Sequence, residues 1–150
     1  MFKELWNRPG YLVRRLHQIH LGLFAEECKE YDVTPVQFGM LSVLASGEEM
    51  DQLTLSTAVG VDRVSGADVI KRLERRGFLE RKRSDVDRRA RVISVTSKGR
   101  DFVTEVRPKM AKAQSKLVEP LTDEESAELE RILKKLIAAN NGKSRAPLKG

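Results

Sequence analysis

The chain has 150 residues, 40% of them hydrophobic and 5% aromatic, which is enough for one domain packed through Leu, Val and Ile and too little for two. Its short apolar runs exclude a membrane span, the opening MFKELWNRPG lacks a signal peptide's apolar core, and the lone Cys28 excludes an intrachain disulfide, which points to a reducing cytoplasm. Of the net charge of +6, five charges fall within a fifth of the chain, since eleven basic and six acidic residues lie between Asp62 and Arg91.

The first long helix is expected from Pro9 to Tyr31, with Pro9 in its first turn. It carries two apolar stripes, Leu12, Leu16, Ile19 and Leu23 on one side and Val13, His17, His20, Phe24 and Cys28 on the other. A surface helix needs one such face, so two imply burial against the domain core and against a second subunit or a ligand crevice. Asp32 and Val33 turn the chain. Thr34-Pro35-Val36-Gln37 then combines a cap, a first-turn proline and a capping-box glutamine, and the helix runs to Gly47. Asp51 caps a short helix that Gly60 stops.

Asp62 caps the next helix, whose Gly66, Val69, Ile70 and Leu73 line one face before Gly77 ends it. Two β-like runs follow, Phe78 to Arg83 and Arg91 to Thr96, around the polar loop from Ser84 to Ala90. Two short helices joined through a glycine turn, then a basic hairpin, are the plan of a winged helix-turn-helix over residues 34–96.

Thr96-Ser97-Lys98-Gly99 opens a long helix with Phe102, Val106, Met110, Ala113 and Leu117 on one face, a bend expected at Pro108 and an end at Pro120. Thr122-Asp123-Glu124-Glu125 is a capping box before the stripe Leu129, Ile132, Leu133, Leu136 and Ile137. Residues 140–150 lack periodicity and read as a disordered tail. The fold class is mainly α with a β-hairpin wing. Helices at 9–31 and 97–139 carry more apolar surface than one small domain covers, which favours a homodimer with two reading heads.

With its apolar face turned inward, the second helix of the motif offers Val64, Ser65, Ala67, Asp68 and Lys71 outward. Ser65 suits a base edge or a phosphate, and Val64 or Ala67 a thymine methyl. Asp68 suits cytosine N4, or else it pairs with Arg72. Arg63, Lys71 and Arg72 are candidates for phosphate contacts, and Arg88 and Arg89 for the minor groove. On the first long helix, Arg14 and Arg15 stand beside His17 and His20. One reading is a crevice that takes a carboxylate or phosphate, with Phe24, Phe38 or Met40 packed on a ring. The other is core histidines and solvated arginines.

Across residues 9–139 the chain resembles the MarR family of transcription regulators. The residues that carry this are Leu55 to Arg63, Ile70 to Leu79 (IKRLERRGFL), Asp87-Arg88-Arg89, Val95 to Gly99 (VTSKG) and Leu121 to Glu125 (LTDEE). The resemblance implies a dimeric repressor that binds a near-palindromic operator in double-stranded DNA and is released by a small ligand. It also implies that Asp87 holds the wing by pairing with an arginine. Asp68 departs from the basic or polar residue many members carry nearby. The GYLVRRLHQI segment resembles a subgroup tied to aromatic-acid catabolism, which makes an aromatic acid or an aromatic acyl-CoA the expected effector.

Some members sense oxidants through cysteine, but Cys28 follows Glu26 and Glu27 on an apolar stripe, which disfavours a reactive thiolate. His17 and His20 have helical spacing without further metal ligands nearby. No phosphate-cradling glycine loop or nucleophile motif is present, so neither an enzyme nor a cofactor is expected. A protein–protein adaptor built on the winged fold remains the rival reading, and it predicts no salt-sensitive DNA binding.

Overall fold

The computed structural model describes residues 2–47 and 49–148. Among these residues seven α-helices and one hairpin follow in order: α1 (Lys3–Trp6), α2 (Pro9–Glu27), α3 (Pro35–Ala45), α4 (Gln52–Ala58), α5 (Arg63–Arg75), β1 (Leu79–Arg83), β2 (Arg91–Val95), α6 (Ser97–Val118) and α7 (Asp123–Asn140). The mainly α class with one hairpin is as expected. No helix among the described residues is long and apolar enough to cross a membrane.

Capping chemistry sets most of these boundaries. Thr34, Asp51, Asp62, Thr96 and Thr122 each accept a hydrogen bond from the backbone three residues on, and Thr34–Gln37 and Thr122–Glu125 are complete capping boxes. The stops at Gly47, Gly60 and Gly77 have φ of 107°, 75° and 75°, a region costly for any residue with a Cβ.

Three boundaries differ from expectation. The four-residue α1 precedes Pro9, and its Trp6 packs edge-on against Tyr11. α2 stops at Glu27 rather than Tyr31, and beyond it Asp32 turns into the left-handed region with φ 47° and the Tyr31 and Asp32 carbonyls accept from Arg76. Beyond α7, in the stretch read as a disordered tail, the chain forms a single turn at Asn141–Lys143 and a loop to Leu148 that the Asn141 side chain closes with two hydrogen bonds. Residues 149 and 150 of that expected tail lie outside the described residues. α6 continues through Pro108.

The core is built from α2 to α6 and the hairpin, with Phe78 just before β1 and Leu79 at its start: Phe24 and Cys28 come from α2, Phe38, Met40, Leu41 and Leu44 from α3, and Leu55 from α4. Ile70 and Leu73 of α5, Ile93 and Val95 of β2, and Val103, Val106 and Ala113 of α6 complete it. β1 and β2 pair antiparallel with Leu79 opposite Val95, and Met50 bridges to Ile93.

One arginine ties three parts of this fold together. From the C-cap of α5, Arg76 donates to the carbonyls of Tyr31 (3.0 Å) and Asp32. Its guanidinium also lies 4.8 Å from the Phe78 ring, which stacks at 4.4 Å on Phe102 of α6. Lys98 donates to the Arg76 carbonyl at 2.7 Å, and Gly99 admits no side chain because a Cβ would meet the Phe78 carbonyl. Arg76→Ala strands two carbonyls and a ring face, so it should destabilise the chain by about 2 kcal/mol. Arg76→Lys should recover only part of this, read by urea unfolding, because an ammonium lacks the planar fork.

On the opposite flank, the Glu27 side chain of α2 is 7% exposed and held by Lys112 at 3.2 Å and by Lys116 of α6. The hydrogen bond from Lys116 leads in holding its carboxyl below the ordinary carboxylate range. A depressed folded-state pKa gives stability that is complete above the unfolded value and is lost as pH falls through the folded one. Glu27→Gln should therefore melt earlier than the parent chain near pH 7. The gap should close in acid, as pH falls through the depressed folded-state pKa and the parent's carboxyl is also neutralised.

Candidate nucleic-acid interface

α5 meets α4 through its smallest residue. Gly66 lies so close to Ser56 that a Cβ would overlap the Ser56 hydroxyl, itself donated to the Gln52 carbonyl at 2.7 Å. This contact, with Ile70 and Leu73 buried behind it, turns the opposite face of α5 outward.

That face gathers five of the predicted residues. Arg63, Val64, Ala67, Asp68 and Lys71 line one shallow concavity of 370 Å³ together with Gln52 from the start of α4. Val64, 81% exposed, is its most prominent apolar group. Ser65 and Arg72 lie outside it. The Ser65 hydroxyl donates to the Asp62 carboxylate at 2.9 Å, while the Ser65 backbone N–H donates to the other oxygen. These bonds hold the Asp62 carboxyl below its usual range. The hydroxyl proton is thereby engaged at home, and the free Ser65 oxygen lone pairs are left as acceptors. Asp68 pairs with Arg72 at 3.1 Å one turn on, the second of the two alternatives open for it. The pair is exposed, so its energetic worth is small.

A second concavity of 410 Å³ adjoins the first between α4, the start of α5 and the hairpin. It brings Arg63, Arg81 and Arg91 together beside Gln52. Arg81 is held in place by Glu74 at 2.8 Å and by the Gln52 amide oxygen at 3.1 Å. Gln52, Arg81 and Arg91 were not among the expected site residues. Arg81 and Arg91 sit outside the loop that marks a wing, and the only sequence signal for them was their place in the basic segment.

The loop from Ser84 to Ala90 is ordered by its own polar atoms. The Ser84 hydroxyl oxygen accepts from the backbone of Val86 and Asp87 at 3.2 Å each, and Ser84 N–H donates to the Ala90 carbonyl at 3.0 Å. Asp87 accepts from the Arg89 backbone N–H at 3.0 Å. The expectation of a side-chain ion pair for Asp87 is corrected, because an Asx turn satisfies the carboxylate locally. Arg88 and Arg89 project into solvent beside Val86 at the tip.

The six residues expected at an effector crevice do not converge in this chain. Arg14, Arg15 and His17 are exposed, and His20 is half-buried 6.3 Å from the His17 ring. Phe24 and Phe38, with 2% and 4% exposure, are core residues, as is Met40, because α2 and α3 each pack against α6. Cys28 is buried, and desolvation, then the Glu27 charge, raises its thiol pKa, which opposes redox chemistry there.

The MarR family pattern matches residues 31–90. Over 84 residues the chain is 37% identical to the transcriptional repressor MprA of Escherichia coli (strain K12), a match covering 56% of this chain and 48% of that one. It thus spans about half the length of this curated relative. Over 113 residues it is 30% identical to the HTH-type transcriptional regulator MgrA of Staphylococcus aureus, covering 74% of each.

Among solved structures, the PcaV transcriptional regulator from Streptomyces coelicolor aligns with a TM-score of 0.73 and 30% identity, over 91% of this chain and 99% of that one. BpsR of Bordetella bronchiseptica, whose DNA binding is regulated by 6-hydroxynicotinic acid, gives 0.81 and 25% over 87% and 93%. The transcriptional repressor CouR, bound to a 23-mer DNA duplex, gives 0.82 and 26% over 91% and 96%. With its helix-turn-helix, its hairpin and a relative matched over most of its length, this chain belongs to the MarR family of winged-helix regulators.

Proposed function

We propose that the protein is a DNA-binding transcriptional regulator, a repressor that docks as a homodimer on a near-palindromic operator and is released by a small ligand. The observation that carries this is the exposed α5 face of Arg63, Val64, Ala67, Asp68 and Lys71, continuous with the arginines of the hairpin. α5 enters the major groove. Arg63, Lys71 and Arg72 contact phosphates, while Val64 and Ala67 meet thymine methyls and Ser65 accepts from a base amino group. Arg88 and Arg89 follow the adjacent minor groove, where negative potential is strong.

Support for the homodimer comes from apolar side chains that a lone chain leaves in water. Val13 and Ile19 of α2, and Leu136 and Ile137 of α7, are each more than half exposed. Burying such faces contributes roughly 25 cal/mol per Å².

For the effector, the exposed set Arg14, Arg15 and His17, with His20, supplies cationic and hydrogen-bonding groups that suit an aromatic carboxylate or its CoA ester. BpsR's response to a hydroxypyridine carboxylate supports this class. Release requires that the ligand bind preferentially to a spacing of the two heads that misfits the operator. Thermal shift against benzoates, hydroxybenzoates and their CoA esters tests it: a stabilising member should also free the DNA, and no shift from any would remove this effector class.

Selection of bound duplexes from a random pool, followed by fluorescence anisotropy across a salt series, tests the regulator reading. A recovered inverted repeat, bound with affinity that falls steeply with salt, is expected. Recovery of unselected sequence with no salt dependence would favour a protein–protein adaptor.

A further inference from the structure

The basic segment around α5 and the hairpin is matched by a second one. From Arg131 to Gly150 there are six basic residues and no acidic one. Outside these two stretches eleven basic residues face sixteen acidic ones, so the chain's positive balance resides entirely in the pair. Arg131 and Lys134 are neutralised on α7 by Glu128 at 2.6 Å and Glu130 at 2.9 Å. Lys143 and Arg145 are exposed and have no ion-pair partner among the described residues.

These two side chains are carried by a closed loop. The Asn141 side chain donates to the Leu148 carbonyl at 2.7 Å and accepts from the Leu148 N–H at 2.8 Å. Within the loop, Ala146 N–H donates to the Ser144 hydroxyl at 3.1 Å, and Ala146 is buried. The loop faces the helix-turn-helix itself. Ala58, Val59 and Gly60 line one side of a 540 Å³ cleft, and Lys143, Ala146 and Leu148 the other. Gly60 stands three residues before Arg63, the first residue of α5, which puts it within about 11 Å even for extended chain. Phosphates border a major groove roughly 12 Å wide, the same scale as that span.

We propose that residues 141–148 form a basic strap, closed on itself by Asn141 and set across the cleft from the α4–α5 turn, that adds Lys143 and Arg145 to the DNA-phosphate interface. This rests on the regulator reading above. The strap contributes affinity without sequence preference, because phosphate contacts carry no base information.

The test measures binding of the full chain to a random duplex of about 30 base pairs over a salt series, since phosphate contacts act on any sequence. The double variant Lys143→Gln/Arg145→Gln should bind about tenfold or more weakly near physiological salt, with the slope of log affinity against log salt shallower by roughly two per subunit. Asn141→Ala should weaken binding in the same direction by releasing the clasp. Arg131→Gln/Lys134→Gln makes the same charge change on α7 and should leave the slope unaltered. An unchanged slope for the Lys143/Arg145 variant, or equal losses for the two double variants, would overturn the strap while leaving the regulator reading intact. Absence of salt-dependent binding by the parent chain would overturn both.

Discussion

Gly66→Ala should lower the melting temperature by about 5–10 °C and remove DNA binding under conditions that saturate the parent chain. Overpacking a tight contact costs roughly 1–3 kcal/mol, and each kcal/mol moves the midpoint of a domain this size by about 2–4 °C. The added Cβ has no escape, because it overlaps the hydroxyl of the fully buried Ser56 and comes within 2.6 Å of the Ser56 Cβ. Relief requires α5 to move away from α4, and that movement displaces the whole outward face. Gly66→Ala with Ser56→Gly leaves only the Ser56 Cα, at 3.5 Å, an ordinary contact. The pair should therefore recover much of the loss despite a glycine in α4, a coupling that a double-mutant cycle measures. A Gly66→Ala chain that melts and binds like its parent would mean that the two helices are not packed as described.

Arg89→Ala should leave the melting temperature unchanged yet weaken DNA binding about tenfold for every sequence tested, with a shallower salt dependence. The guanidinium is exposed, so nothing in the fold depends on it, while the Arg89 backbone N–H that Asp87 holds survives the substitution. Asp87→Ala gives the contrasting case: it removes the Asx turn, so the loop loosens and both arginines lose their positioning. An Arg89→Ala chain with parental affinity and salt slope would show that the hairpin tip does not touch DNA.

Much of this was legible in the sequence because it rests on local chemistry. A threonine or aspartate three residues before a free N–H caps a helix wherever it occurs, and Thr34, Asp51, Asp62, Thr96 and Thr122 all do so. Gly47, Gly60 and Gly77 stop helices because only glycine enters their backbone conformation cheaply. The outward face of α5 follows from helical spacing alone.

What escaped depends on contacts between distant segments. Arg76 reaches carbonyls more than forty residues away, and no periodicity marks it apart from Arg75, which is exposed. Gln52 joins Arg81 across 29 positions, so their shared site has no sequence signature. Phe24 and Phe38 looked available to a ligand because aromatic rings suit one. Whether an apolar ring faces a crevice or a core is decided by how α2 and α3 each pack on α6. The Asn141 clasp closes a loop in a stretch where hydrophobic patterning, the signal that finds helices, is absent.

The central claim is that two outward α5 faces, joined through α2, α6 and α7, read one duplex together. A hydroxyl-radical footprint of the parent chain on a selected site tests this most directly. Two protected stretches should appear, related by a twofold axis and separated by about one helical turn or a multiple of it, roughly 10 base pairs each. A single protected stretch without symmetry would contradict the account.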